Sequence, residues 1–207
     1  MFTLFGRQGW GSAIVEAQMV WYGLAYVLED TGDLLRSEEA RSKLKPLPPL
    51  GQTPTLVLPG GRVMTESAAI TLHLADITGT TSLVPGAHEA ERAQFLRWLV
   101  FMVANIYPTF TYADLPERFV PAEAARSFRH NVDAYAARLW GQMEDEAAAP
   151  WFLGDRFTAL DIFIAVMTRW RPGRPWFAAN QPRLAAIAAG ADTLPELQAV
   201  LRRNFPE

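Results

Sequence analysis

Up to about Gly79 the chain changes its hydrophobic period every ten to fifteen residues, and beyond it the pattern is helical almost to the end. Phe2 to Phe5 is a short apolar run closed by Gly6 and reads as a buried strand. After Gly9-Trp10-Gly11, Ser12 is placed to cap a helix whose apolar positions, Ile14, Val15, Met19 and Tyr22, recur at helical spacing. Ala25 to Leu28 predicts a second strand, and a polar, helix-tolerant stretch from Asp33 ends before Pro46, Pro48 and Pro49. Thr55 to Leu58 and Arg62 to Met64 flank Pro59-Gly60-Gly61, which is a hairpin signal. From Thr65, the residues Ala69, Ile70, Leu72 and Leu74 predict a helix that stops at Gly79.

The second half predicts helices around Ala93 to Asn105, Ala122 to Ala147, Leu160 to Trp170, Arg183 to Gly190 and Pro195 to Asn204. Thr158 and Asp161 make a capping-box variant, and Leu160, Phe163, Ile164 and Met167 follow at i, i+3, i+4 and i+7. That helix is expected at the centre of a bundle. The order β-α-β-α-β-β-α followed by an all-α bundle predicts two units, residues 1–79 and 88–207.

Composition narrows the chemistry. With 19 Lys and Arg against 22 Asp and Glu, the net charge of −3 argues against nucleic acid as a partner. The chain has no cysteine. Disulfides, thiolate metal sites and a protein thiol nucleophile are therefore excluded. His73, His88 and His130 lie 15 and 42 residues apart, so no sequence-local metal site is expected. No basic segment precedes an apolar core at the start, and no apolar stretch reaches the ~18 residues of a membrane span. A cytosolic protein without a membrane partner is the expectation.

Three segments in order, Gly51-Gln52-Thr53-Pro54-Thr55-Leu56, Thr65-Glu66-Ser67, and Phe152-Leu153-Gly154-Asp155-Arg156-Phe157-Thr158 with Asp161-Ile162, resemble the cytosolic glutathione S-transferases. The resemblance spans essentially the whole chain. It implies a thioredoxin-like glutathione-binding domain, an all-helical domain that forms most of the second-substrate pocket, and commonly a homodimer. The implied activity is attack of glutathione thiolate on a small hydrophobic electrophile, as in detoxification. A noncatalytic binding module of the same fold, or a glutathione-dependent isomerase or peroxidase, is the alternative.

The resemblance also implies site residues. Ser12, the only hydroxyl in the loop Arg7 to Ser12, is the candidate donor to the glutathione sulfur, although serine-type relatives place theirs nearer the strand and cysteine-type relatives near Gly11. Backbone amides of the same turn are the alternative activator, with Ser12 then only capping its helix. The Thr53-Pro54 bond is expected to be cis, with Gln52 nearby and the Thr53 backbone offered to the cysteinyl part of glutathione as an added strand. Glu66 and Ser67, at a helix start, suit the ammonium and carboxylate of the γ-glutamyl group. Lys43 is the candidate cation for the glycyl carboxylate, with Lys45, Gln52 and Arg7 as alternatives. Trp10, Asn105, Tyr107, Phe110 and Tyr112 are the candidate lining of an electrophile pocket, either phenol serving as a proton donor. Thr158 and Asp161 are assigned a structural role.

Overall fold

The computed structural model describes residues 1–44 and 51–206 and divides into two compact units, one of residues 1–84 with 189–207 and the other of residues 85–188. The C-terminal stretch that the hydrophobic pattern attaches to the helical half thus groups with the first unit.

The first unit holds four strands, β1 (Phe2–Gly6), β2 (Tyr26–Asp30), β3 (Thr55–Val57) and β4 (Val63–Met64), in the order β2-β1-β3-β4. β1 pairs parallel with β2 and antiparallel with β3, and β3 pairs antiparallel with β4. The parallel pair needs a crossover, which helix α1 (Ser12–Trp21) supplies. Period-two alternation sends Phe2 and Leu4 to one face of the sheet, where they pack with Val15 and Met19 of α1, Leu56 of β3, and Ile70 and Leu74 of α3 (Ser67–Thr78). Phe5, on the opposite face, packs with Trp10 against Leu34, Ala40 and Leu44, the last two on α2 (Glu38–Leu44).

The second unit is built on α4 (Arg92–Phe101), α5 (Tyr107–Asp114), α6 (Ala125–Glu146), α7 (Ala159–Met167), α8 (Arg174–Asn180) and the larger part of α9 (Pro182–Thr193). Every residue of α7 is buried, as its apolar periodicity predicts. A π-helical turn at Met102–Ile106 joins α4 to α5. Pro108, which has no amide to donate to the preceding turn, follows directly, so the helix runs on past the proline with its register changed. Helix α8 has no counterpart in the sequence reading. Pro172, Gly173 and Pro175 look like breakers there, whereas Pro175 falls in the first turn, where a proline costs nothing.

Helix α10 (Pro195–Asn204) packs on α1 and belongs to the first unit. Leu197, Val200 and Leu201 form its buried stripe.

Candidate functional site

Strand register alone brings the predicted site segments of the first unit together. Phe5 lies opposite Thr55, and Leu56 opposite Met64. The exit of β1, the entry of β3 and the exit of β4 are therefore at one end of the sheet. Three connections meet there: the loop Arg7 to Gly11, the approach to β3 through Thr53-Pro54, and the Thr65-Glu66 entry to α3.

The Thr53-Pro54 bond is cis, as expected. Pro54 is buried and Thr53 half-buried. Thr55 Oγ1 donates to the Gln52 carbonyl at 2.7 Å, fixing the turn, while the Gln52 residue is exposed. The ladder with β1 ends at Thr55, so the backbone of Thr53 extends past the strand pairing.

Glu66 is exposed and, among the described residues, is the one non-glycine with positive φ, at 66° with ψ 105°. Such a backbone costs of order 1–3 kcal/mol and persists where its surroundings impose it. It turns the chain abruptly into α3, whose first residue, Ser67, is buried. A buried relay supports that helix start: Gln18 Nε2 donates to Thr71 Oγ1 at 3.0 Å, and Thr71 Oγ1 donates to the Ser67 carbonyl at 2.8 Å.

The Ser12 hydroxyl is turned onto the loop that precedes its helix. The residue capping α1 is Gly11, without a side-chain cap, so the expected Ser12 cap is corrected. The Arg7 amide donates to Ser12 Oγ at 3.0 Å, and the Ser12 hydroxyl donates back to the Arg7 carbonyl at 3.1 Å. Ser12 is 2% exposed, and its one proton is committed inside the loop. The hydroxyl staples the loop into a ring of six residues. Of the first amides of α1, Ala13 donates to the Trp10 carbonyl at 2.9 Å and Ile14 to the Gly11 carbonyl at 3.2 Å, so what the loop presents is the Ser12 amide, at a helix start with no acidic residue in its first turn.

The remaining candidates separate. The Lys43 side chain and all of Lys45 lie outside the described residues. The Arg7 guanidinium stacks over the Trp10 ring, 5.6 Å from its centroid, and Trp10 is half-buried against the α2 cluster. In the second unit Asn105 sits on the π-helical turn, its amide donating to the Phe101 carbonyl at 3.2 Å. Tyr107 packs edge-on to Phe110 and Trp170, and burial pushes its phenol well above the usual tyrosine range, so it stays protonated. Tyr112 is exposed and meets Phe119 edge-on. Five positions along a helix correspond to about 140° of rotation, so the two phenols do not share a face. Among the described residues no group of three or more His, Asp or Glu is placed to hold a metal ion.

Comparison with known proteins adds the family. The model of the glutathione S-transferase N-terminal domain matches residues 17–77. YncG of Escherichia coli K12, a GST-like protein, is 39% identical over 205 residues, 99% of this chain and 98% of its own. The chain belongs to the glutathione S-transferase family. Glutathione S-transferase GstA of Escherichia coli O157:H7 is a more distant relative of this family member, 26% identical over 153 residues, 74% of each chain. A glutathione transferase homologue from Sulfitobacter, crystallised with bound glutathione, shares the transferase fold with a TM-score of 0.86 at 20% identity, over 97% of this chain and 96% of that one.

Sequence reasoning missed three residues that support the site end of this transferase-family chain: Glu16 and Gln18 on α1, and Asn204 on α10. The signal was a carboxylate and an amide inside a helix whose residues from Ser12 to Met19 are all buried. Polar side chains on such a face must find partners.

Proposed function

We propose that the chain binds glutathione at the site end of its first unit and stabilises the thiolate for attack on a small hydrophobic electrophile. The observation that carries this reading is the convergence, by strand register, of an unpaired backbone edge at Thr53, a helix start at Ser67 and a second helix start behind the Arg7 to Gly11 loop. The Thr53 backbone pairs with the cysteinyl residue of the ligand as an added strand. The Ser67 amide and hydroxyl take the γ-glutamyl carboxylate, and the exposed Glu66 carboxylate takes the ammonium. Bound glutathione in the Sulfitobacter structure and the transferase name of the GstA relative support the same assignment.

With the Ser12 hydroxyl engaged by Arg7, and the Ala13 and Ile14 amides by the Trp10 and Gly11 carbonyls, the sulfur falls to the Ser12 amide at the start of α1. A thiol of pKa ~8.5 needs about 2.7 kcal/mol of preferential anion stabilisation to become largely ionised at neutral pH. An amide donor to a charged acceptor and the positive end of a helix dipole together supply that order. The Ser12 side chain, through its bonds to Arg7, then holds that amide in place. The electrophile enters beside the sulfur, where Trp10 is the candidate contact on the first unit.

Titration calorimetry with glutathione tests the reading: saturable binding at or below millimolar ligand is expected, and no heat of binding at several times that concentration overturns it. The strained cap gives a second test. Glu66→Gly should release ~1–3 kcal/mol of backbone strain. Glycine returns about 0.5–1 kcal/mol of that through the flexibility of the unfolded chain. The variant is therefore expected to melt at the same or a higher temperature while its glutathione affinity falls about tenfold, the loss of one charge-assisted contact. A lower melting temperature with affinity intact would show that Glu66 serves the fold and not the ligand.

A further inference from the structure

Helix α10 reaches the Arg7 to Gly11 loop through a buried polar clasp. Glu16, in the second turn of α1, is 1% exposed. Its Oε1 accepts from the Tyr26 hydroxyl at 2.9 Å and from Arg203 Nη2 at 2.5 Å, and its Oε2 accepts from Asn204 Nδ2 at 2.6 Å. The other end of the Asn204 amide faces the loop, where Oδ1 accepts from the Gly9 amide at 3.2 Å. Only one orientation of that amide serves both neighbours, since a carboxylate requires the NH₂ and a backbone N–H requires the oxygen. Asn204 is 5% exposed, so the side chain has no solvent-facing alternative.

Two further contacts hold the same stretch. Gln8 Nε2 donates to the Arg203 carbonyl at 2.7 Å. Gly9 has φ +76°, and a Cβ on it would lie 3.3 Å from the Asn204 carbonyl oxygen, so the loop backbone lies directly on the end of α10. Ser12 staples the loop from within, and Asn204 fixes it from outside. A buried carboxylate is costly unless fully partnered, and an apolar residue would pack α10 on α1 as well. What Glu16 adds is a fixed direction for the Asn204 amide.

We propose that Asn204, oriented by Glu16, is a positioning residue that sets the Gln8-Gly9 backbone and with it the Ser12 amide that meets the glutathione sulfur; this rests on the glutathione reading above. Its loss leaves the Thr53 edge and the α3 start untouched. Binding and thiol activation should therefore separate. Asn204→Ala is expected to bind glutathione within about threefold of wild type, while the bound thiol titrates about one pH unit higher and kcat with an activated chloronitrobenzene falls about tenfold. Thiolate absorbance of the glutathione complex against pH reads the shift.

Tyr26→Phe is the control, because it removes a partner of Glu16 without touching the loop. It should lose stability and keep the thiol titration. Gln8→Ala, an exposed change that leaves the fold intact, should move the titration in the same direction by a smaller amount, and it serves if Asn204→Ala does not fold. If Asn204→Ala titrates as wild type does, or if Gln8→Ala does so where Asn204→Ala is unfolded, the clasp is structural only and the proposal falls alone. If the wild-type complex shows no thiol titration, the glutathione reading has failed and the clasp falls with it.

Discussion

Asp161→Ala is expected to destabilise the protein by about 3–5 kcal/mol. Asp161 is fully buried at the first turn of α7, and its carboxylate gathers donors from two segments: Oδ1 accepts from the Phe152 amide at 2.8 Å, and Oδ2 accepts from the Thr158 amide at 2.7 Å and the Thr158 hydroxyl at 3.1 Å. Alanine strands all three donors in an apolar bundle. Each unsatisfied buried donor costs ~1–3 kcal/mol, and breaking a buried network by removing one partner costs 3–5 kcal/mol. Urea denaturation measures it, with the slope unchanged if the transition stays two-state. A loss under ~1 kcal/mol would mean that the turn refills the site.

The same residue carries a pH signature. Burial pushes the Asp161 carboxyl up from 3.8 to about 6, against the hydrogen bonds it accepts, which pull it down. The folded state thus holds the proton more tightly than the unfolded chain. Its contribution is complete below about pH 4 and is lost as pH rises through about 6, a difference of order 3 kcal/mol. Asp161→Asn cannot titrate and leaves a donor turned against donors. It should be less stable than wild type by an amount that is greatest near pH 4 and shrinks as pH approaches 6.

Asp161 was legible because its partners are local. Phe152 and Thr158 stand nine and three positions away, within one motif, and the capping box is a rule about spacing. The β1 alternation, the Gly60-Gly61 hairpin and the apolar run of α7 were legible for the same reason. So were the cis Thr53-Pro54 bond and the helix start at Glu66-Ser67, each a dipeptide at an element start. Asn204 was not, since its partner Glu16 is 188 residues away and only the packing of α10 on α1 brings the two together. Ser12 shows a second limit. A hydroxyl in a glycine-rich loop is equally suited to meet a ligand, cap a helix or close on the backbone, and the closure on Arg7 depends on how tightly the loop turns. The direction of the α5 phenols was not legible, because the π-helical turn and Pro108 set the phase of α5 relative to α4, and residue spacing before a register change does not carry through it.

Gly6→Ala is expected to lower turnover about a hundredfold in a protein that still folds. Gly6 ends β1 directly before the loop, and a Cβ built on it would lie 2.2 Å from Ser12 Cβ and 2.3 Å from Ser12 Oγ. No rotamer of serine removes the first of these overlaps. Either the strand end or the start of α1 must move by about an ångström, and the Ser12 bonds to Arg7 are the weakest link between them. Overpacking of this kind costs ~1–3 kcal/mol, which a domain of ordinary stability survives. A displacement of ~1 Å at the reacting centre is worth about 10²-fold in rate. The Ser12 amide would then sit off the sulfur while Thr53 and Ser67, on other connections, keep their places. Glutathione affinity should change by no more than a fewfold, and kcat with an activated chloronitrobenzene should take nearly the whole loss. Equal losses in affinity and turnover would mean that the loop holds the ligand as a whole. An unchanged kcat would move thiol activation away from the α1 start altogether.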